Sequence, residues 1–279
     1  MAANAQIFEI QSVERVNLPA GVAVEEAVMS PDGAKVAYTQ LYADGLSVLD
    51  FSNGVNKVIS PKGVALDLAF TTDGAGLVYD EVTYDAKHMR RVTVKSTDLL
   101  SGKTETIVAP TRTLNGVSVD ASGVRAVDNG RINASAERPV LSINMGQLCI
   151  TRGNKTEVLS PLGTEGMSYL WPSLSPDGKR ICFYAAGLGC YTCNLDGSDM
   201  HKLGWLRAAR WYDNNTVVGM HDRTDGKFTV SSEIIARTAD GRLSQQLSDS
   251  NLVALYPSVA EGKIAFSTVD GRLFIINLK

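Results

Sequence analysis

The sequence predicts an all-β protein built from repeated four-stranded units. Three observations support this prediction: one turn motif recurs along the chain, short alternating strands flank its copies, and no stretch shows helical periodicity. The 279 residues are 44% hydrophobic and 20% charged, with 25 Gly against 9 Pro. This balance is typical of a globular chain with a sizeable core and many turns.

The turn motif is clearest at Ser30–Gly33 and Ser175–Gly178, where Ser-Pro-Asp-Gly precedes an alternating strand. Pro presets φ for a turn, Asp bonds its own backbone, and Gly accepts a positive φ. Weaker copies of the same pattern occur at Leu68–Tyr79, Val117–Val127, Ala208–Val218 and Pro257–Phe266. The copies are spaced by roughly 36 to 54 residues, which is near the period of one propeller blade.

The repeats therefore predict a six-bladed β-propeller with four-stranded blades. Third strands of the six units are expected at Leu46–Asp50, Val92–Lys95, Gln147–Ile150, Tyr191–Leu195, Ile234–Arg237 and Leu273–Asn277. The last unit lacks a fourth strand, and Phe8–Val13 is expected to supply it and close the ring, which removes exposed strand edges. Residues 7–279 are expected to form one domain, with residues 1–6 a signal-peptide remnant or a tag.

The Ser-Pro-Asp-Gly repeats, together with Asn194–Ser198, resemble the repeats of the TolB-type β-propeller family. The resemblance covers nearly the whole chain, although turn residues specify a fold more than an activity. It implies an exported, non-catalytic scaffold in the periplasm of a Gram-negative bacterium that binds an envelope protein. The small-x-small pattern Ala3–Ala5 is consistent with export, because signal peptidase cuts after such a pattern.

Alignment of the repeats by their turns places a set of residues at the starts of the innermost strands, around one mouth of the central channel. The set comprises Glu26, Asp67, Trp171, Arg207 and Tyr256, with Gly116 as a gap. Arg207 can clamp a carboxylate with two hydrogen bonds, and the two aromatic rings offer stacking surfaces. The expected ligand is a polar organic molecule, a carbohydrate or a peptide terminus.

Two alternatives remain open at this mouth. The residues can pair with one another, Arg207 with Glu26 or Asp67, and simply fill the channel. The carboxylates of Glu26 and Asp67 can instead serve as the acid pair of a glycosidase, or the mouth can belong to a carbohydrate-binding module.

Longer loops on the same face predict a charged rim that recognises a partner. The rim residues are Tyr84, His88, Arg131, His221 and Arg223. Loop variation on a rigid scaffold commonly carries recognition, so we expect the rim and the mouth to form one surface.

Other classes of function are disfavoured by the sequence. The formal net charge of −3 gives no signal for nucleic-acid binding, and no apolar run is long enough to span a membrane. His88, His201 and His221 lie in separate units, so no metal site is expected, and neither a nucleophile elbow nor a phosphate-binding loop occurs. We expect a monomer without a cofactor or catalytic residues.

The four cysteines are too few for a disulfide framework in a chain of this size. Buried, reduced thiols are the expected state. A two-residue turn at Gly187–Leu188 would place Cys182 opposite Cys193, and this register allows a cross-strand bridge, although reduced thiols are the expected state.

Overall fold

The computed structural model describes residues 3–41, 43–64, 68–121, 123–132 and 138–279. In these residues the secondary structure is almost entirely β, as the turn repeats predict, and the helical element found there is one 3-10 turn at Ser250–Leu252. No helix within these ranges is long and apolar enough to cross a membrane.

The strands are short and are distributed along the whole described chain. The first thirteen are β1 (Ala3–Asn4), β2 (Ile10–Arg15), β3 (Val24–Met29), β4 (Lys35–Gln40), β5 (Ala43–Asp50), β6 (Asn56–Ser60), β7 (Ala69–Phe70), β8 (Gly76–Tyr84), β9 (Arg90–Asp98), β10 (Thr104–Thr111), β11 (Leu114–Asp120), β12 (Gly123–Asp128) and β13 (Arg131–Ile132). The remaining strands are β14 (Val140–Asn144), β15 (Gln147–Arg152), β16 (Lys155–Val158), β17 (Tyr169–Leu174), β18 (Arg180–Ala185), β19 (Gly189–Asn194), β20 (His201–Gly204), β21 (Arg207–Trp211), β22 (Thr216–Thr224), β23 (Thr229–Thr238), β24 (Leu243–Gln246), β25 (Ala254–Ala260), β26 (Lys263–Thr268) and β27 (Leu273–Leu278).

The described strands form seven sheets, so the prediction of six units was wrong by one. The sheets are β3-β4-β5-β6, β7-β8-β9-β10, β11-β12-β13, β14-β15-β16, β17-β18-β19-β20, β1-β24-β23-β22-β21 and β2-β27-β26-β25. Four strands are the usual number, two sheets have three in the described residues, and β1 adds a parallel fifth strand to one sheet.

The seventh sheet lies in the segment where the sequence predicted that Val117–Val127 and Gln147–Ile150 belong to one unit. In the structure β13 turns back and pairs with β12, so this segment completes its own sheet. Strand β14 then starts another sheet beside β15. Between them Met145 and Gly146 both have a positive φ (49° and 79°), as a two-residue hairpin turn requires. This hairpin lacks the Pro-Asp-Gly motif, which is why counting turns missed it.

The predicted pairing of the N-terminal strand is confirmed. Strand β2 lies antiparallel to β27, with Val13 opposite Ile276 and Arg15 opposite Phe274, and is the fourth strand of the last sheet. The backbone N–H of Lys279 also donates to the carbonyl oxygen of Glu9 at 3.0 Å. The two ends of the described chain are thus joined in one sheet.

The chain divides into two compact units. Unit 1 comprises Met1–Ala27, Ile143–Cys149 and Val158–Lys279, and unit 2 comprises Val28–Ser142 and Ile150–Glu157. The single domain over residues 7–279, with a separate segment 1–6, stays a prediction.

Each unit has its own buried core between neighbouring sheets. In unit 1 one core contains Val218, Ile234 and Phe266, and a second contains Leu206 and Trp211. In unit 2 the main core is built from β4, β5, β7 and β8 and is centred on aliphatic and Tyr side chains. Strands β18, β19 and β26 each contain five consecutive buried residues, so both of their faces are covered. Polar side chains that meet a ligand are therefore expected at strand ends and in loops.

The repeated turn is held by side-chain hydrogen bonds that the sequence motif anticipates. The hydroxyl of Ser175 donates to Asp177 Oδ1 at 2.7 Å and accepts from the backbone N–H of Arg180 at 2.9 Å. Ser30 and Asp32 make the same pair at 2.5 Å. The Ser30 hydroxyl and the N–H of Ala34 lower the pKa of Asp32, because both donate to the ionised carboxylate. Each turn thus satisfies its own backbone.

Replacement of Ser175 by Ala is expected to lower the free energy of unfolding by about 1–3 kcal/mol, because the N–H of Arg180 loses its acceptor, the hydroxyl of the buried Ser175. The midpoint of urea denaturation measures this loss. Ser198→Ala is the matched control, since this exposed serine makes a similar bond to Asp196 at 2.6 Å in water. Equal midpoints for the two variants would contradict the assignment.

Candidate functional site

The first strands of three successive sheets in unit 1 share an irregular start. Strands β17, β21 and β25 each carry a one-residue bulge close to their first residue. Within the bulges Trp171, Ala208 and Tyr256 have positive φ values of 48°, 47° and 49°. Such a conformation costs an L-residue on the order of 1–3 kcal/mol, so three equivalent occurrences mark a specialised edge. This edge of unit 1, where β17, β21 and β25 begin, is called the first-strand edge below.

The register corrects one part of the sequence alignment. Trp171 and Tyr256 are equivalent, as predicted, but the residue of β21 that matches them is Ala208. Arg207 precedes its bulge and is equivalent to Leu170 and Leu255. The turn after β21 is one residue shorter than the turn after β17, because the N–H of Tyr212 donates to Thr216 whereas that of Ser175 donates to Arg180, so alignment by the turns shifts β21 by one position.

Arg207 is held in place by a carboxylate and an aromatic ring. Its Nη1 donates to Asp222 Oδ2 at 2.5 Å, and its guanidinium carbon lies 5.1 Å from the centre of the Trp171 ring. Asp222 is only 9% exposed, whereas the Arg207 side chain is 40% exposed. A guanidinium has five N–H groups, and the bond to Asp222 is its only hydrogen bond to the described residues. The remaining donors of Arg207 therefore reach solvent on an anchored side chain.

The partner of Arg207 differs from the alternative that the sequence left open. That alternative paired Arg207 with Glu26 or Asp67 from other repeats, whereas the observed partner, Asp222, lies on the neighbouring strand of the same sheet. Asp67 falls outside the described residues, so the structure does not place the proposed Glu26 and Asp67 acid pair.

Aromatic side chains extend the site away from Arg207. The ring of Trp171 meets that of Tyr184 edge-on with centres 5.7 Å apart, and Tyr184 lies 6.3 Å from the largely exposed Trp205. Burial raises the pKa of Tyr184, and the nearby Arg207 charge only partly opposes this. The result is an aromatic surface that starts beside the guanidinium and ends in solvent.

Tyr256 is influenced by the charges of both Glu26 and Arg207. Burial is the main cause that raises the pKa of Tyr256, the negative charge of Glu26 raises it further, and the charge of Arg207 lowers it. The hydroxyl therefore stays protonated at neutral pH and can donate a hydrogen bond. Four of the five predicted mouth residues thus belong to unit 1, where Arg207 lies over Trp171 and the charges of Glu26 and Arg207 act on Tyr256.

Two of the predicted rim residues converge on a buried carboxylate. Glu233 Oε1 accepts from His221 Nδ1 at 2.9 Å and from Arg223 Nη2 at 3.1 Å. The Glu233 side chain is 5% exposed, and its Oε2 has no hydrogen-bond partner among the described residues. Sequence reasoning missed Glu233 and Asp222, because the pairing of β22 with β23 depends on the turn between them. The alternating pattern of these strands, with the turn fixed at 225–228, would have placed Glu233 opposite His221.

The other three rim residues lie in unit 2. Tyr84 is exposed at the end of β8 opposite Arg90, and His88 lies in the following turn with a φ of 57°. Arg131 belongs to a different hairpin, where it pairs with Asp128. Tyr84 and His88 therefore belong to one hairpin and Arg131 to another. A single rim formed by all of these residues stays a prediction.

The cysteine pairing also differs from the sequence expectation. Thr192 lies opposite Cys182, and Cys193 lies opposite Ile181, so Cys182 and Cys193 do not face each other. The thiol in contact with Cys182 is that of Cys190, with the sulfurs 3.4 Å apart. All four cysteines are free and buried. The loop of this hairpin is one residue longer than predicted, since Ala185 pairs with Gly189 and leaves residues 186–188 between them.

Solved structures with the same architecture identify the fold. Virginiamycin B lyase from Staphylococcus aureus superposes with a TM-score of 0.69 at 11% identity, covering 96% of this chain and 99% of that one. A chain of the mitotic checkpoint complex gives a TM-score of 0.59 at 12% identity, covering 99% and 95%.

The chain is a β-propeller. Its sheets correspond to seven blades, four-stranded as a rule, rather than the predicted six. TolB from Acinetobacter baumannii, the family suggested by the repeats, gives a TM-score of 0.50 at 14% identity and covers 92% of this chain, which spans 63% of that protein. No protein-family model and no curated protein sequence matches the chain. Likeness at this level of identity shows the fold alone.

The buried thiols of the propeller are expected to be unreactive in the folded state. Burial raises the pKa of Cys193 to about 12, against roughly 8.5 for an exposed thiol, so its thiolate fraction at pH 8 falls roughly 2000-fold. A thiol reagent at pH 8 should therefore label almost none of the 4 cysteines before unfolding and all of them afterwards.

The same shift predicts how stability depends on pH. The raised pKa of Cys193 means that the folded state keeps a proton which the unfolded state releases above about pH 8.5. Its contribution to stability is complete below that pH and is lost as the pH rises toward 12. Urea midpoints measured between pH 8 and 10 should fall, and they should fall less in Cys193→Ala. An equal fall in both proteins would contradict the assignment to Cys193.

Proposed function

We propose that the protein is a non-catalytic binding propeller that recognises the carboxylate of a polar ligand at the first-strand edge of unit 1. The single observation that carries the proposal is Arg207, which is anchored by the buried Asp222, stacked on Trp171 and still largely available to a ligand. A preorganised guanidinium loses little side-chain entropy when it binds a planar carboxylate through two parallel hydrogen bonds.

The groups around Arg207 restrict the ligand further. Glu26 and the protonated hydroxyl of Tyr256 are close enough to influence each other, and both suit polar groups next to a carboxylate. Glu26 would repel a simple anion but attract an N–H or O–H donor. A ligand with a carboxylate and a neighbouring hydrogen-bond donor therefore matches the site better than an inorganic anion. An N-acylated amino acid is a simple molecule with this chemistry.

Aromatic surface beside the guanidinium supports recognition of an organic ligand. Trp171, Tyr184 and Trp205 form a continuous series of ring contacts that reaches solvent. Rings of this kind cover apolar parts of a ligand at low cost in side-chain entropy. The residues that touch the ligand in this proposal bind it and do not transform it. A periplasmic location remains a prediction that rests on the resemblance of the repeats, and cell fractionation tests it.

The proposal is tested by titrating the protein with N-acetyl-leucine and with N-acetyl-leucine amide, using tryptophan fluorescence or calorimetry. The carboxylate is expected to bind at least about tenfold more tightly than the amide, because a charge-assisted hydrogen bond contributes about 1.5–3 kcal/mol. Arg207→Gln is expected to remove this preference. Glucuronate and glucose form a second pair that separates carboxylate recognition from recognition of a sugar ring.

Arg242→Gln is the matched control, because Arg242 is an exposed arginine of unit 1 that is also paired with an aspartate, Asp240. It should bind the probes as the wild type does. Equal binding of N-acetyl-leucine and its amide, or an Arg207→Gln variant that binds N-acetyl-leucine with wild-type affinity, would contradict the proposal.

A further inference from the structure

Several exposed apolar side chains lie along the edge that carries the proposed carboxylate site. In unit 1 the loops and strand starts along the first-strand edge carry Leu170, Leu188, Trp205, Phe228, Val230 and Val269, all of them large and exposed. Single exposed apolar residues are ordinary, but a group of them on one edge commonly marks an interaction surface.

The hairpin of β22 and β23 is the main element of this surface. Arg207 pairs with Met220, and from that level β22 continues to Thr224 before the chain turns and β23 begins at Thr229. The hairpin therefore extends beyond the start of the first strand. Phe228 and Val230, near its tip, are 62% and 56% exposed. We call residues 221–232 of this hairpin the arm.

The register of the arm places an apolar residue close in the chain to the strand position opposite Asp222. Asp222, the partner of Arg207, lies opposite Ser232. The next pairs are Arg223 with Ser231 and Thr224 with Thr229, so Val230 lies in a one-residue bulge of β23, two residues from Ser232 in the chain. The apolar part of the arm thus begins two residues from the strand position that anchors Arg207.

On the opposite face of the arm, hydrogen bonds between charged side chains hold its two strands together. There Glu233 binds both His221 and Arg223 and ties the two strands together at the base of the arm. At the tip the ammonium group of Lys227 lies 5.0 Å from the centre of the Phe228 ring. The arm carries two exposed cations, Arg223 and Lys227, in addition to the guanidinium of Arg207 at its base.

We propose that the arm and Arg207 together bind the carboxyl-terminal segment of a protein partner that ends in apolar residues. This inference rests on the proposed function and names the class of ligand. The terminal carboxylate of the partner meets Arg207, its last backbone N–H supplies the donor that suits Glu26, and the preceding apolar side chains lie against Val230 and Phe228. The cations of the arm complement a segment whose terminus is negative.

The charges of the arm favour this occupant over a purely apolar one. Asp222 and Glu233 are both paired with arginine, and Asp225 is occupied by the backbone N–H groups of Lys227 and Phe228. The side chains of Arg207, Arg223 and Lys227 are more exposed than those of Asp222 and Glu233. At the base of the arm the cations Arg207 and Arg223 are therefore the exposed members of their ion pairs, whereas at the tip the exposed Asp225 lies next to Lys227 in the turn.

The test uses a fluorescein-labelled peptide, Gly-Ser-Gly-Leu-Val-Leu, as the free acid and as the C-terminal amide, measured by fluorescence anisotropy. The free acid is expected to bind more tightly than the amide by at least about tenfold. The double variant Phe228→Ser with Val230→Ser is expected to weaken the peptide by about tenfold or more, because two apolar contacts are lost. Its affinity for N-acetyl-leucine, which is too short to reach the arm tip, should stay within about twofold of the wild type.

Val158→Ser is the matched control, since Val158 is 58% exposed and lies outside the arm. It should bind both probes as the wild type does. If the arm variant binds the peptide normally while the acid is still preferred over the amide, the arm is not a docking element and only the proposed function survives. If the arm variant weakens the peptide and N-acetyl-leucine equally, the arm merely supports Arg207 and the inference is overturned.

Failure of the proposed function itself has a different signature. In that case the acid and the amide bind equally in the wild type, whatever the arm variant does. A second copy of this chain on the arm would appear as a dimer in sedimentation that the arm variant abolishes, with no change in peptide binding, and this result would also overturn the inference.

Discussion

Burial of both faces of the sheets is the constraint on which the rest of the structure depends. In β18, β19 and β26 the buried positions run without interruption through five residues, because each sheet packs between neighbours. A side chain in such a strand has no access to water on either face. Ligand chemistry is thereby confined to strand ends and hairpin tips, which is where Arg207, Trp205 and the arm are found.

The first-strand edge shows how a strand end becomes a site. Three bulges set Trp171, Ala208 and Tyr256 in a conformation that L-residues avoid, and the energy for this comes from burial elsewhere in the sheets. The bulged strand bends and re-aims its side chains. Since Ala208 carries only a methyl group, the middle strand offers no large ring at the bulge, and the guanidinium of Arg207 lies over Trp171 instead. A rigid backbone under local strain keeps such a group in one arrangement.

The sequence was informative wherever local chemistry determines the structure. The Ser-Pro-Asp-Gly turns, the all-β composition and the pairing of the N-terminal strand with the last sheet follow from residues close together in the chain or from one unfilled strand position. The extra sheet was missed because the turn at Met145–Gly146 uses positive φ at both residues without the motif that was counted. The site was predicted in outline, and the shorter turn after β21 displaced Arg207 by one position in the alignment. The sequence did not predict Asp222 and Glu233 as site residues, because their partners depend on a cross-strand register that is set by a four-residue turn.

The pairing of β2 with β27 has a consequence for the order in which the protein assembles. During synthesis β2 leaves the ribosome before every other strand of its sheet, yet its hydrogen-bonding partner, β27, is the last of the described strands to follow it. The early strand must therefore remain unpaired while the intervening blades form, and its edge is open to wrong partners during that time. Closing so long a loop costs entropy that grows only with the logarithm of its length, and the closure makes the first and last parts of the propeller unfold together.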